Sequence, residues 1–363
     1  MAVQPITISG RPTAPGHTQA LADRRAEFAA LLRGGSTRRF LTSAWQHFVG
    51  DEYDPVRFAR ATVDFNRTWD WDWVKINPRA VYYSEAWGSV YDADDYTGVV
   101  PRLVSPAVTG VADLAKIRPL DPRTNPALAE HLASARLIRE QLPDRALLQT
   151  VFSPLSVLLQ LADLPLYPGG DVTSGSGTPF TQGDLLRSDP ELAHAALAAI
   201  AKTLADYVAN LVAPVDDGGA GLDGIFYAVT GTASSDLFDK PTFEEYSGPY
   251  DQQVLEAVGD GLVVLHTCRA DSHPEWFTDY RIDALHWDQF LSRNPALDTD
   301  FGVTVVGGVN NELFAVGGDR TKVAAQLEAT LAAAPNRPFL LAPSCTIPTP
   351  ADPDSLQRLR DAK

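Results

Sequence analysis

The stretch LVVLHTC, Leu262–Cys268, decides how this chain is read. Four consecutive apolar residues run into His266 and Cys268, and the polar, proline-containing RADSHPEW follows. A short apolar run bounded by turn residues reads as a strand buried on both faces. Seven other stretches fit the same description: RFLTSAW (39–45), DWVKI (72–76), LLQTVFS (147–153), GIFYAV (224–229), DALHWD (283–288), VTVVGGV (303–309) and FLLAPSC (339–345). Between them lie helical patterns over 54–69, 125–142, 189–212 and 319–333. Three of these open on Asp-Pro or Asn-Pro, a cap followed by a first-turn proline.

Eight continuously apolar strands alternating with helices predict an α/β protein, a (β/α)8 TIM barrel. An open doubly wound sheet is the runner-up, but no Gly-x-Gly-x-x-Gly follows the first strand. Residues 1–37, with a helix in LADRRAEFAALLRG (21–34), are expected to be an N-terminal helical extension covering the barrel. Residues 38–363 are expected to form the barrel and carry the catalytic site. The Gly/Ser/Thr/Pro-rich segment 165–183 reads as a loop, either a lid at the mouth or a solvated excursion.

Composition narrows the classes of function. A formal net charge of −16 opposes nucleic-acid binding and docking on an anionic membrane, both of which need clustered cations. No apolar run looks long enough to span a bilayer, and the first residues lack the basic-then-apolar pattern of a secretory signal. Two cysteines in 363 residues are no disulfide framework. The expectation is a soluble, cytoplasmic protein.

In such a barrel the C-terminal strand ends form the active-site rim. His266 and Cys268 are two apart on one strand, so they face the same side. The second cysteine, Cys345, ends the eighth strand and lies on the same rim. Two thiolates and an imidazole suit Zn²⁺, with a fourth position left open in a catalytic site. The plain alternative is that each cysteine is a small buried apolar group. Other rim candidates for substrate binding are His47, Lys75, Asn77, Arg79, Tyr83, Glu85, Arg269 and Asn310. Lys75, Arg79 and Arg269 are the candidate partners for a substrate anion. The tryptophans of TWDWDW (68–73) read as packing groups. His273 falls on a turn past the strand and drops out.

His266-x-Cys268 followed by Cys345 resembles the zinc motif of the methylcobamide:thiol methyltransferases, members of the uroporphyrinogen decarboxylase superfamily of (β/α)8 barrels. It is distantly similar to cobalamin-independent methionine synthase and epoxyalkane:coenzyme M transferase. The likeness extends through WDWVKINPRAVYYSEAWG (71–88), TVFSPLSVLL (150–159), IDALHWD (282–288), VVGGVNN (305–311) and LLAPSCTIP (340–348), covering the chain from about residue 35 onward. The resemblance implies a zinc-dependent transferase. A small-molecule thiol would be activated as a zinc thiolate and attack an alkyl donor, a methylcorrinoid that is free or carried on a separate corrinoid protein. Asp288 and His286 are implied as a further ligand or as supports of the ligands. The chain departs from the pattern in two ways. It lacks the Arg-rich opening segment of the true decarboxylases, and Arg269 follows the first motif cysteine where many relatives carry Gly. A metal-free, uroporphyrinogen decarboxylase-like lyase remains the alternative, and a non-catalytic corrinoid- or tetrapyrrole-binding barrel is a third reading.

Overall fold

The computed structural model describes residues 17–169, 179–333 and 337–362. All eight expected strands form: β1 Phe40–Thr42, β2 Trp73–Ile76, β3 Ala146–Phe152, β4 Gly224–Ala228, β5 Leu262–His266, β6 Ala284–His286, β7 Thr304–Val309 and β8 Phe339–Pro343. They make one parallel sheet in the order β1-β8-β7-β6-β5-β4-β3-β2. The seam between β1 and β2 has no regular ladder. It is closed by the Asp72 amide on the Thr42 carbonyl (2.9 Å), the Thr42 amide on the Asp72 carboxylate (2.8 Å) and the Ser43 hydroxyl on the Trp73 carbonyl (2.8 Å). The fold is therefore a (β/α)8 barrel.

The helical patterns become Pro55–Thr68, Pro126–Gln141, Pro190–Val212 and Arg320–Ala333. Asp54, Asn125 and Asp189 cap the first three, each accepting from backbone amides of the first turn, which satisfies donors the helix leaves open. Pro190–Val212 departs from the sequence reading. It is long and apolar enough by composition to cross a membrane. Packing accounts for that character, since Leu197, Ile200, Leu204, Val208 and Leu211 are buried against the barrel.

The N-terminal helix, His17–Leu32, closes the bottom of the barrel. Phe28 and Leu31 are buried beneath the inward-facing Trp73, Leu148 and Phe226. Arg25 pairs with Asp223 just ahead of β4, and Arg24 binds both oxygens of Asp70. A column of rings rises from this floor. Phe28 meets Trp73 (centroids 5.4 Å apart), Trp73 meets Trp45 (5.7 Å), and Trp45 meets Phe226 (5.5 Å). The tryptophans of 68–73 are packing groups as read, with Trp71 and Trp73 fully buried.

A hairpin near the rim has no counterpart in the sequence reading. Val90–Thr97 and Val100–Ser105 pair as an antiparallel hairpin after β2, turning through Gly98 at φ +63°. Gly98-Val99 joins the paired Thr97 and Val100, and a two-residue loop with Gly first is a hairpin signal, here obscured by the acidic DADD of the first strand. Of the 165–183 loop, residues 170–178 lie outside the described residues.

Phe28→Ala tests the floor. Removing a fully buried ring should cost about 3–5 kcal/mol, read as a lower urea midpoint. The near-UV circular dichroism of the folded variant should stay close to wild type apart from the lost ring, because the rim lies at the opposite end of the barrel.

Candidate metal centre

β5 and β6 pair in register with His266 opposite His286. Hydrogen bonding extends two residues past β5: the Thr267 amide reaches the His286 carbonyl (3.0 Å) and the Cys268 amide reaches the Thr230 carbonyl (2.9 Å). The strand alternation thus persists through Cys268, and His266 and Cys268 share a side. The chain then turns at Arg269, whose φ is +71°. Left-handed backbone is costly for any residue with a Cβ, and this is the position where the related motif carries Gly.

Cys345 arrives from the loop after β8. The Ser344 amide is held on the Val309 carbonyl (2.7 Å) and the Ile347 amide on the Trp45 carbonyl (3.1 Å). The two sulfurs lie 3.9 Å apart, and with a ring nitrogen of His266 the three ligand atoms fall within 4.8 Å of one another. Two sulfurs each about 2.3 Å from one tetrahedral ion would be about 3.8 Å apart, so the donor set fits zinc. The Nδ1–H of His266 donates to the His286 carbonyl (3.2 Å). That bond leaves Nε2 unprotonated, the form a metal ligand requires.

The thiols behave as a pair. Cys345 is held well below the ordinary thiol range, first by its hydrogen bond with Cys268, then by His266 and the Thr346 amide. Cys268 is pushed well up by the same bond and by burial.

His286 stacks on His266 with centroids 4.6 Å apart. Its Nε2–H goes to the Pro343 carbonyl (3.0 Å), and burial holds it neutral, well below its usual range. Asp288 stands beside the centre and outside the three-ligand group. Its oxygens accept from the Ser344 hydroxyl (3.0 Å) and the Phe290 amide (2.9 Å). Burial raises its pKa, with those two bonds opposing.

Above the ligands opens a cavity of about 370 Å³. His47, Lys75, Asn77, Arg79, Tyr83, Arg269, Asn310 and Asp288 all line it; Glu85 does not. Lys75 is nearly buried, with Nζ 4.6 Å from the Phe226 ring centre and 5.3 Å from that of Trp45. Its hydrogen-bond partner is Asn77 Oδ1 (2.5 Å), and among the described residues no carboxylate pairs with it. Burial lowers its pKa to about 7, and the charges of Cys345 and Cys268 oppose that fall.

Arg79 is committed elsewhere, to Glu85 (2.7 Å), Glu130 (2.6 Å) and the Glu52 carbonyl (2.9 Å). Burial works against its charge, but Glu85 and Glu130 outweigh burial and raise its pKa. Arg79 and Glu85 together brace the rim. Tyr83 donates to the Thr150 carbonyl (2.7 Å). Asn310 caps the short turn after β7 through the Glu312 amide (2.8 Å). The Arg269 guanidinium lies 5.3 Å from the Tyr167 ring centre. Tyr167 and Glu52 join the site without a sequence cue, since each sits in an irregular loop where no periodicity marks a facing side. His273 lies away from the ligands, bonded to Ser235 and Glu275.

The fold and this rim define a class, the (β/α)8 barrels with a soft-ligand site at the strand C-termini. The sequence matches uroporphyrinogen decarboxylase (URO-D) over residues 46–363, and the chain belongs to that family. Compared by sequence with curated proteins, it has no significant match. Among solved structures it is similar to a methyltransferase from Methanosarcina mazei, with TM-score 0.69 and 18% identity, covering 94% of this chain and 97% of that one. A 3-dehydroquinate dehydratase from Geobacillus kaustophilus HTA426 aligns at TM-score 0.36 and 11% identity, over 90% and 91% of the two chains.

The lysine gives a test of the buried charge. With a folded pKa near 7 against about 10.4 unfolded, the unfolded chain binds more protons between those values. Stability from this group is full above the unfolded value and is lost as pH falls toward 7. Lys75→Met should therefore raise the Tm, by more at pH 6 than at pH 9, in thermal denaturation.

Proposed function

We propose that this protein is a zinc-dependent methyl- or alkyltransferase acting on a small thiol, with a methylcorrinoid as the donor. The observation that carries the reading is the convergence of His266, Cys268 and Cys345 beneath an open cavity, with the His266 tautomer already set. Membership of the URO-D family and the shared barrel with a protein called a methyltransferase support it. His266 Nε2 and the two sulfurs would hold the ion. Zinc bound there would supply Lewis acidity that keeps a substrate thiol deprotonated at neutral pH.

The chain's own groups do the rest. His286, through its carbonyl, orients His266. Ser344, held by Asp288 and Asn311, fixes the loop that presents Cys345. Lys75, inside the cavity and lacking an acidic partner there, meets negative charge on the substrate. Arg269 meets charge at the mouth, and the backbone cost of an arginine at φ +71° is consistent with a side chain retained for what it contacts. Trp45, Phe226 and Ile347 line the cavity and exclude water from the reacting sulfur. A corrinoid would come free or on another chain.

The decarboxylase-like alternative calls for a cluster of arginines facing the cavity. Two arginines line it, and Arg79 is already engaged by two glutamates.

Purified protein should carry about one zinc per chain by atomic emission, with Cys268→Ala and Cys345→Ala each losing most of it. Wild-type protein that transfers alkyl groups to a thiol with no zinc bound would refute the reading. Arg269→Gly should relieve about 1 kcal/mol of backbone cost. The same change should raise the KM for a carboxylated thiol severalfold while leaving that for an uncharged thiol unchanged.

A further inference from the structure

A thiol that enters the cavity as RSH and leaves alkylated must surrender one proton per turnover, and the polar groups around the ligands are mostly committed. His266 has given its Nδ1–H to a carbonyl, and its ring stands within the group it forms with the two sulfurs. His286 has given Nε2–H to Pro343, and its Nδ1 is enclosed without a partner. Both Asp288 oxygens already accept hydrogen bonds. Tyr83 donates to Thr150, and Glu312 is exposed at the mouth.

His47 differs from all of these. It lies in the loop after β1 and lines the cavity. Its Nδ1 stands 3.5 Å from Glu52 Oε2, and neither of these enclosed atoms has a hydrogen-bond partner among the described residues. Glu52 is fully buried, and its second oxygen accepts from the Tyr96 hydroxyl of the hairpin (3.2 Å). The His47 carbonyl is tied to Thr349 (3.0 Å), four residues past Cys345, so the loop carrying the imidazole is fastened to the loop carrying a ligand. A carboxylate behind Nδ1 sets the tautomer that leaves Nε2 open to accept a proton, and it stabilises the imidazolium that results. Such contacts are often loose before substrate binds.

We infer that His47 is the general base that removes the thiol proton, with Glu52 as its positioning residue. The inference rests on the thiol-alkylation reading above. The S–H bond breaks, the proton passes to His47 Nε2, and the electron pair stays on sulfur. Sulfur then forms the new bond to the alkyl carbon, while the donor–carbon bond breaks and its pair departs with the donor. The imidazolium returns its proton to water before the next turnover.

The test uses the zinc-loaded full chain, methylcobalamin as donor and 2-mercaptoethanol as acceptor. His47→Gln should lose about 100-fold in kcat, with KM and zinc content near wild type, and added imidazole should restore part of the rate. Glu52→Gln should lose about tenfold in kcat with the same unchanged KM. It carries the test alone if His47→Gln fails to fold. A His47→Gln protein with the wild-type kcat would overturn the inference. So would a slow variant that imidazole does not rescue, or one whose zinc content or KM changes in step with its rate. Zinc-loaded wild type that methylates no thiol would instead remove the reading on which the inference rests.

Discussion

The pairing of β5 with β6 in register is the constraint on which the rim depends. It sets His266 opposite His286 and lets the carbonyl of one fix the imidazole tautomer of the other. A slip of one residue would turn every side chain on the shifted strand to the opposite face, separating the imidazole from the sulfurs. The register is held by burial on both sides, because every residue of β5 and β6 is buried. The energy that fixes the geometry of these side chains is therefore the packing of the barrel.

Around that pairing the structure separates two kinds of charge. At the rim, Arg79 is held between Glu85 and Glu130, so its buried charge is fully compensated, as a cation must be if it is to lie largely out of water. Deeper in the cavity Lys75 is flanked by two aromatic faces and one amide oxygen. The first arrangement braces the loops. The second has no carboxylate paired with it among the described residues.

The sequence made the strands and the ligand pairing legible because both follow from period. Continuous apolar runs marked all eight strands, the i, i+2 spacing placed His266 and Cys268 together, and the strand-end rule brought Cys345 to the same rim. The roles of Arg79 and Lys75 were not legible. Both stood in VKINPR as rim cations, but one is spent on Glu130, 51 residues further along, and the other is not, which only the fold decides. Glu52 and the hairpin escaped for the same reason. An acidic loop residue looks solvated until its neighbours are known, and DADD concealed the alternation of the strand it belongs to. The left-handed backbone at Arg269 was hinted at by the Gly of related motifs, and the structure supplies its angle.

The helix beneath the barrel has a consequence for the chemistry above it. By filling the lower mouth with Phe28 and continuing the filling through Trp73, Trp45 and Phe226, it replaces a water-filled shaft with a polarisable but non-aqueous stack. The strength of an interaction between charges varies inversely with the local dielectric constant. A channel open to solvent from below would screen Lys75 from the sulfurs, whereas a sealed one lets each feel the other. This helix thereby acts as the insulator of the site.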